Sequence, residues 1–132
     1  ETLARIQASF ACGCADDTAG AAEINARFEQ DNYLCDTHTA VAFCVAETVR
    51  SAAPMVVLST ASPYKFSESV LASLQGEDAV KGMDAFQCAQ KLEELSGVPV
   101  PRQIRELETL PIRHKRVCEV SGMEAALMEE WK

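Results

Sequence analysis

The sequence predicts an α/β fold, predominantly helical with one to three short strands, and three observations carry that expectation. Apolar residues recur three and four apart over most of the chain, the spacing of helices that bury one stripe. One run, Met55-Val56-Val57-Leu58, is continuously apolar and rich in β-branched residues, which suits a strand buried on both faces of a parallel sheet. Helical spacing precedes that run and returns after it, the α-then-β order of layered folds.

Taken in order, Leu3, Ile6 and Phe10 open the chain at helical spacing with no capping residue ahead of them, as in a helix entered part-way. With Glu1 first and no initiator methionine, the sequence reads as a piece of something longer. After Cys12-Gly13-Cys14, Asp16 and Asp17 offer caps to a second helix whose inward face includes Ala21, Ile24 and Phe28, and Asp31-Asn32 turns the chain. Asp36, Thr37 or Thr39 can cap a third helix that begins near His38 and carries Val41, Cys44, Val45, Thr48 and Val49 on one face. Residues 51–54 link it to the expected strand at 55–58.

Ser67 can cap a fourth helix with Val70, Leu71 and Leu74 inward and Gly76 at its end. Residues 84–96 form the clearest helical pattern, since Ala85, Cys88, Leu92 and Leu95 fall three or four apart and Gly97 stands one past the end. Val98-Pro99-Val100-Pro101 must be extended, because each proline drives its predecessor out of the helical region. A short turn around Ile104 and Leu107 is closed by Pro111, residues 112–120 read as a strand or an extended arm, and a last helix turns Ala126, Leu127 and Trp131 to one side.

At 132 residues the chain fits one domain, read as a single region over residues 1–132. Twelve basic and 20 acidic residues give a net charge of −8, a field that repels nucleic acid and anionic membrane. No apolar run approaches the roughly 20 residues of a membrane span, and the start lacks the pattern of a signal peptide, so the expectation is a cytoplasmic protein. Its six cysteines are expected as reduced thiols, Cys44 and Cys88 lying on apolar stripes.

The most promising chemistry lies where the expected strand ends. Ser59, Thr60 and Ser62 supply three hydroxyls, Pro63 ends any pairing, and Lys65 follows two residues later. Ligands of open α/β sheets bind at such strand ends, and a lysine beside hydroxyls suits a phosphate or carboxylate. Cys12-x-Cys14 and Cys35-x-x-His38 offer four zinc-type ligands, but the one-residue gap is unusual for structural zinc, and no metal is expected. No cysteine stands out as a nucleophile paired with histidine. The run Arg113-His114-Lys115-Arg116 reads as a solvated edge, and His38 as a histidine bonded to nearby backbone.

Two stretches carry a resemblance. Asp36-Thr37-His38-Thr39-Ala40-Val41-Ala42, followed by Leu58-Ser59-Thr60-Ala61-Ser62-Pro63-Tyr64-Lys65-Phe66, is similar to the carboxy-terminal part of threonine synthase, whose pattern reads roughly D-P-H-T-A-V-A and then T-A-H-P-A-K-F. The likeness is firm over residues 16–74 and rests on the helical pattern beyond. Thr37 stands in place of the family proline, Ser62 in place of histidine and Tyr64 in place of alanine.

The resemblance implies the tryptophan synthase β-like, three-layer fold of fold-type II pyridoxal-phosphate enzymes and the conversion of O-phosphohomoserine and water to threonine and phosphate. It also implies that Thr60 hydrogen-bonds the pyridine nitrogen of the cofactor. A neutral hydroxyl holds no proton on that nitrogen, so the ring is a milder electron sink. Lys65 becomes a secondary, substrate-binding contact and is no candidate for the Schiff base, since that lysine and the glycine-rich phosphate loop lie upstream in the family. The expectation is a carboxy-terminal fragment, inactive and without cofactor on its own, that self-associates through its unpaired strand. The alternatives are an interaction or regulatory module on the same scaffold, or part of a related phospho-lyase.

Overall fold

A computed structural model describes residues 2–131. Among the described residues there are seven α-helices and no strand. They are α1 (Thr2–Gln7), α2 (Asp17–Asp31), α3 (Thr37–Thr48), α4 (Ser67–Gln75), α5 (Ala85–Ser96), α6 (Arg102–Leu107) and α7 (Met123–Glu130). Short 3-10 turns stand at Pro63–Phe66, Glu77–Ala79 and Val120–Gly122.

The helix ends follow from local chemistry. Asp16 caps α2 by accepting from the Ala19 amide at 2.8 Å, and Asn32 closes it in the left-handed conformation, φ 52°. Asp84 caps α5 in a capping box: its carboxylate accepts from the Phe86 and Gln87 amides while the Gln87 side chain accepts from the Asp84 amide. Gly97 ends α5 at φ 69°, a region in which a side chain is strained.

α4 is the middle of the packing, lying against both α2 and α5, while α3 lies against α2. Ile24 of α2, Ala40 of α3, Val70 and Leu71 of α4, and Cys88 and Leu92 of α5 meet in one core with almost no exposure. Burying each of these larger aliphatic side chains contributes about 1.5–3 kcal/mol. Leu34, Tyr64, Val80 and Val100 close the ends of the same cluster. Arg27 clamps α2 to α3 by lying over the Phe43 ring, 5.5 Å from its centroid, and Tyr33 meets that ring edge-on. The 10–15 loop is pressed onto α3, since a Cβ on Gly13 would lie 2.9 Å from Val45 Cγ1.

The strand expected at 55–58 is not formed. Val56 is 82% and Leu58 73% exposed, and the segment lies outside any helix or strand. A doubly buried strand needs sheet neighbours, and no other described residue forms a strand to pair with it. Residues 112–119 form the arm, not a strand, Val120 already belongs to the Val120–Gly122 turn, and all of them are exposed. The helices at both ends exist, but their expected inward stripes face outward: Leu3 and Ile6 of α1 and Leu127 of α7, with the adjoining Phe10 and Trp131, are exposed. On α5, Leu95 is likewise partly exposed, because the buried face turns instead through Cys88, Ala89 and Leu92.

Candidate functional site

Asp36 anchors the site. It lies where the chain passes from the buried Leu34-Cys35 pair into α3, and its own exposure is 0%. As the N-cap it accepts from the backbone amides of His38, at 2.9 Å, and Thr39, at 3.4 Å, and from the Thr39 hydroxyl. His38 Nδ1 lies 3.1 Å from the same carboxylate. Burial pushes the Asp36 carboxyl up, but the hydrogen bonds from the Thr39 hydroxyl, the two amides and the His38 ring outweigh it and leave it below its ordinary value. Asp36 is therefore an ionised, fully satisfied carboxylate inside the fold.

That carboxylate decides the state of the histidine. An ionised carboxylate only accepts, so the proton of a neutral His38 ring belongs on Nδ1, and Nε2 keeps its lone pair. The sequence reading gave His38 a backbone partner; its nearer side-chain partner is the Asp36 carboxylate, with the Thr37 hydroxyl 3.4 Å from the same Nδ1. The spacing D-x-H was the available signal, because a cap at one position brings the side chain two residues on within its reach.

The ring of His38 also touches Phe66, with centroids 5.2 Å apart. This contact brings the two motifs of the sequence together, the first at the start of α3 and the second in the turn before α4. Within that second motif Ser62 caps the Pro63–Phe66 turn by accepting from the Tyr64 amide at 3.3 Å, with Pro63 at the first position of the turn. Tyr64 is buried and donates its hydroxyl hydrogen to the Val98 carbonyl, which ties the turn to the Val98-Pro101 stretch. Ser67, expected as a cap, is the first residue of α4, and its hydroxyl donates instead to the Ala85 carbonyl at 2.8 Å.

Thr60 lies on the exposed loop just ahead of this turn, and among the described residues its hydroxyl makes no hydrogen bond. Lys65 is exposed, its Nζ held 5.9 Å from the centroid of the Phe66 ring. Both side chains are thus accessible, and Lys65 lies beside Phe66 of the His38–Phe66 contact.

A hollow of ≈ 700 Å3 opens between α2, α3 and α4, with His38 and Thr37 on its wall. Ala21, Ile24, Val41 and Ala72 give it an apolar floor, and Asp16, Asp17, Glu68 and Glu77 are its charged groups. Its lining holds no lysine or arginine.

The cysteines take no part. All six are free, and Cys12 and Cys14 are exposed while Cys35 is buried. Among the described residues no three His, Cys, Asp or Glu side chains come together as metal ligands. Burial, followed by the neighbouring Asp36 charge, pushes the Cys35 thiol up to about 11, so it stays protonated and unreactive at neutral pH. Among the described residues no helix is long and apolar enough to cross a membrane.

Compared with known families, residues 39–129 match the family model described as threonine synthase, C-terminal. No curated protein matches the chain.

Proposed function

This chain belongs to the threonine synthase C-terminal family, and from that premise we propose that it forms one wall of the cofactor site of a cytoplasmic, pyridoxal-phosphate-dependent threonine synthase acting on O-phosphohomoserine. The observation that carries this reading is the His38–Phe66 contact, which sets the two family-like motifs side by side where the family match over residues 39–129 begins.

When bound, pyridoxal phosphate supplies an electron sink for reactions at the carbons of an amino acid. The residues of this chain fit such a group. Thr60 offers an exposed hydroxyl with no hydrogen-bond partner among the described residues, free to bond the pyridine nitrogen without charging it. The Ser62-capped turn fixes the backbone that follows Thr60, so the hydroxyl is presented from a braced loop. Lys65, steadied against Phe66, supplies a cation to the substrate phosphate at the edge of the site. The lysine that carries the cofactor and the loop that cradles its phosphate belong to other parts of the domain, so residues 1–132 alone are inactive.

The test is enzymatic. Supplied with pyridoxal phosphate and O-phosphohomoserine, the isolated chain forms no threonine, whereas a complete synthase containing it releases threonine and phosphate in equal amounts. Thr60→Ala in the complete protein lowers kcat about tenfold or more, the worth of ~1.4 kcal/mol. Threonine-forming turnover by the isolated chain sinks the one-wall reading.

A further inference from the structure

We propose that Tyr64 is a positioning residue of this region, whose buried hydroxyl sets the directions in which Lys65 and Phe66 leave the Pro63–Phe66 turn. That Lys65 serves a substrate phosphate rests on the threonine synthase reading; the geometry of the turn stands apart from it.

A 3-10 turn has three residues per revolution, so consecutive side chains leave it about 120° apart. The direction taken by one residue of Pro63–Phe66 therefore fixes the directions of its neighbours. Tyr64 points inward and is 3% exposed, Lys65 is exposed, and the Phe66 ring turns to His38. Within the turn, the Lys65 amide donates to the Ser62 carbonyl at 3.1 Å and the Tyr64 amide to the Ser62 hydroxyl at 3.3 Å. These local bonds shape the turn but leave open which way it faces.

That choice is made by a tie to a distant part of the chain. The Tyr64 hydroxyl donates to the carbonyl of Val98, 34 residues further on. A buried phenol needs such a partner, and burial raises its pKa, so at neutral pH it keeps the proton it donates. Val98 is itself held, because its amide donates to the Ser96 hydroxyl at 3.2 Å, and that hydroxyl donates to the Leu92 carbonyl at 2.7 Å. Just past the turn, Ser67 donates to the Ala85 carbonyl. The turn is thus fastened to both ends of α5, at Ala85 where the helix begins and just beyond Ser96 where it stops. Alanine, which stands at position 64 in the family pattern, carries no hydroxyl, so this tie is a device of this chain.

With Tyr64 held inward, Lys65 is directed outward and its Nζ lies 5.9 Å from the centroid of the Phe66 ring. A lysine meets a phosphate as a point charge on a flexible four-carbon stem, so the backbone must supply the direction that the stem does not. Releasing the tie lets the turn roll and spreads Nζ over more directions. Substrate binding weakens while the reacting atoms are left as they were.

The first test uses the isolated chain and needs no turnover. Tyr64→Phe keeps the buried ring and removes only the hydroxyl. Amide hydrogen exchange is expected to quicken about fivefold or more at Lys65 and to stay unchanged at Leu92 in α5, the mark of a local opening. No change at Lys65, or equal quickening at both residues, overturns the proposal. Should that variant not fold, the native chain decides: the Tyr64 hydroxyl proton is expected to exchange slowly enough for NMR to detect it, unlike that of the more exposed Tyr33. A Tyr64 hydroxyl that exchanges as fast as that of Tyr33 overturns the tie.

The second test uses the complete synthase. Lys65→Ala is expected to raise KM for O-phosphohomoserine about tenfold, and Tyr64→Phe about threefold with kcat little changed. The double variant is expected to match Lys65→Ala alone, because Tyr64 acts through Lys65. If Lys65→Ala raises KM but Tyr64→Phe does not, or if the two effects multiply, the positioning role is overturned and the threonine synthase reading stands. If Lys65→Ala leaves KM unchanged, the substrate contact of Lys65 fails, and the exchange result then decides whether Tyr64 orients the turn.

Discussion

At the scale of single residues, Asp36 concentrates more of the structure than any other side chain. Replacing it with alanine removes the cap of α3 and leaves the buried Thr39 hydroxyl without its acceptor, and the expected loss is about 2–3 kcal/mol, measured by urea unfolding. Its carboxyl is below its ordinary value when folded, so the unfolded chain binds the extra proton on acidification. The stability it contributes is complete above the ordinary carboxyl range near pH ~4 and is lost as pH falls through the folded value, and Asp36→Ser should flatten that acid limb. Cys35 works in the opposite direction. Its thiol is raised by burial first and by the Asp36 charge second, from 9.0 to about 11, so its contribution is complete below pH 9.0 and is lost as pH rises toward the folded value. Alkylation at pH ~8 checks the same burial: Cys12, Cys14 and Cys118 react first, and Cys35 and Cys88 only when the fold opens.

At the scale of elements, turn chemistry governs where helices begin and end. Gly97 tests this, because a Cβ there meets nothing within 4 Å and any penalty for Gly97→Ala is purely conformational. The left-handed φ of 69° makes that substitution cost about 1 kcal/mol, read as a lowered urea midpoint with an unchanged slope. The same local rules made much of the fold legible in advance. Asp16, Asp36, Asp84, Gly76 and Gly97 mark helix ends because a cap needs only the next few residues. Residues 55–58 were misleading for the converse reason: a strand exists only through its neighbours, and apolar β-branched composition does not supply them. At the candidate site, Thr60 and Lys65 were expected as motif positions, whereas the Asp36 carboxylate behind His38 had only the D-x-H spacing to signal it. Ser62 accounts for one departure from the family pattern, since its hydroxyl caps the Pro63–Phe66 turn, and Ser62→Ala should weaken that turn by about 1 kcal/mol.

At the scale of the whole molecule, apolar surface and charge oppose each other. Met55, Val56 and Leu58 are exposed on one segment, and Leu127, Met128 and Trp131 at the carboxy-terminal end, more large apolar surface than scattered exposure explains. The net charge of −8 repels a second copy over the range of a Debye length, about 10 Å at 0.1 M salt. Salt shortens that range without weakening apolar contact, so self-association of the isolated chain should strengthen as salt is raised, the reverse of an assembly held by ion pairs. Sedimentation velocity over a series of concentrations at low and high salt measures this directly. Changing Val56 and Leu58 together to lysine places charge on the most exposed part of the 55–58 segment and should shift the chain toward monomer at every salt concentration. Because those two side chains are mostly exposed, urea stability should stay within about 0.5 kcal/mol of the parent. A chain that stays monomeric at high concentration and high salt would overturn the expectation, and would mean that the exposed apolar segments are too dispersed to form one contact surface.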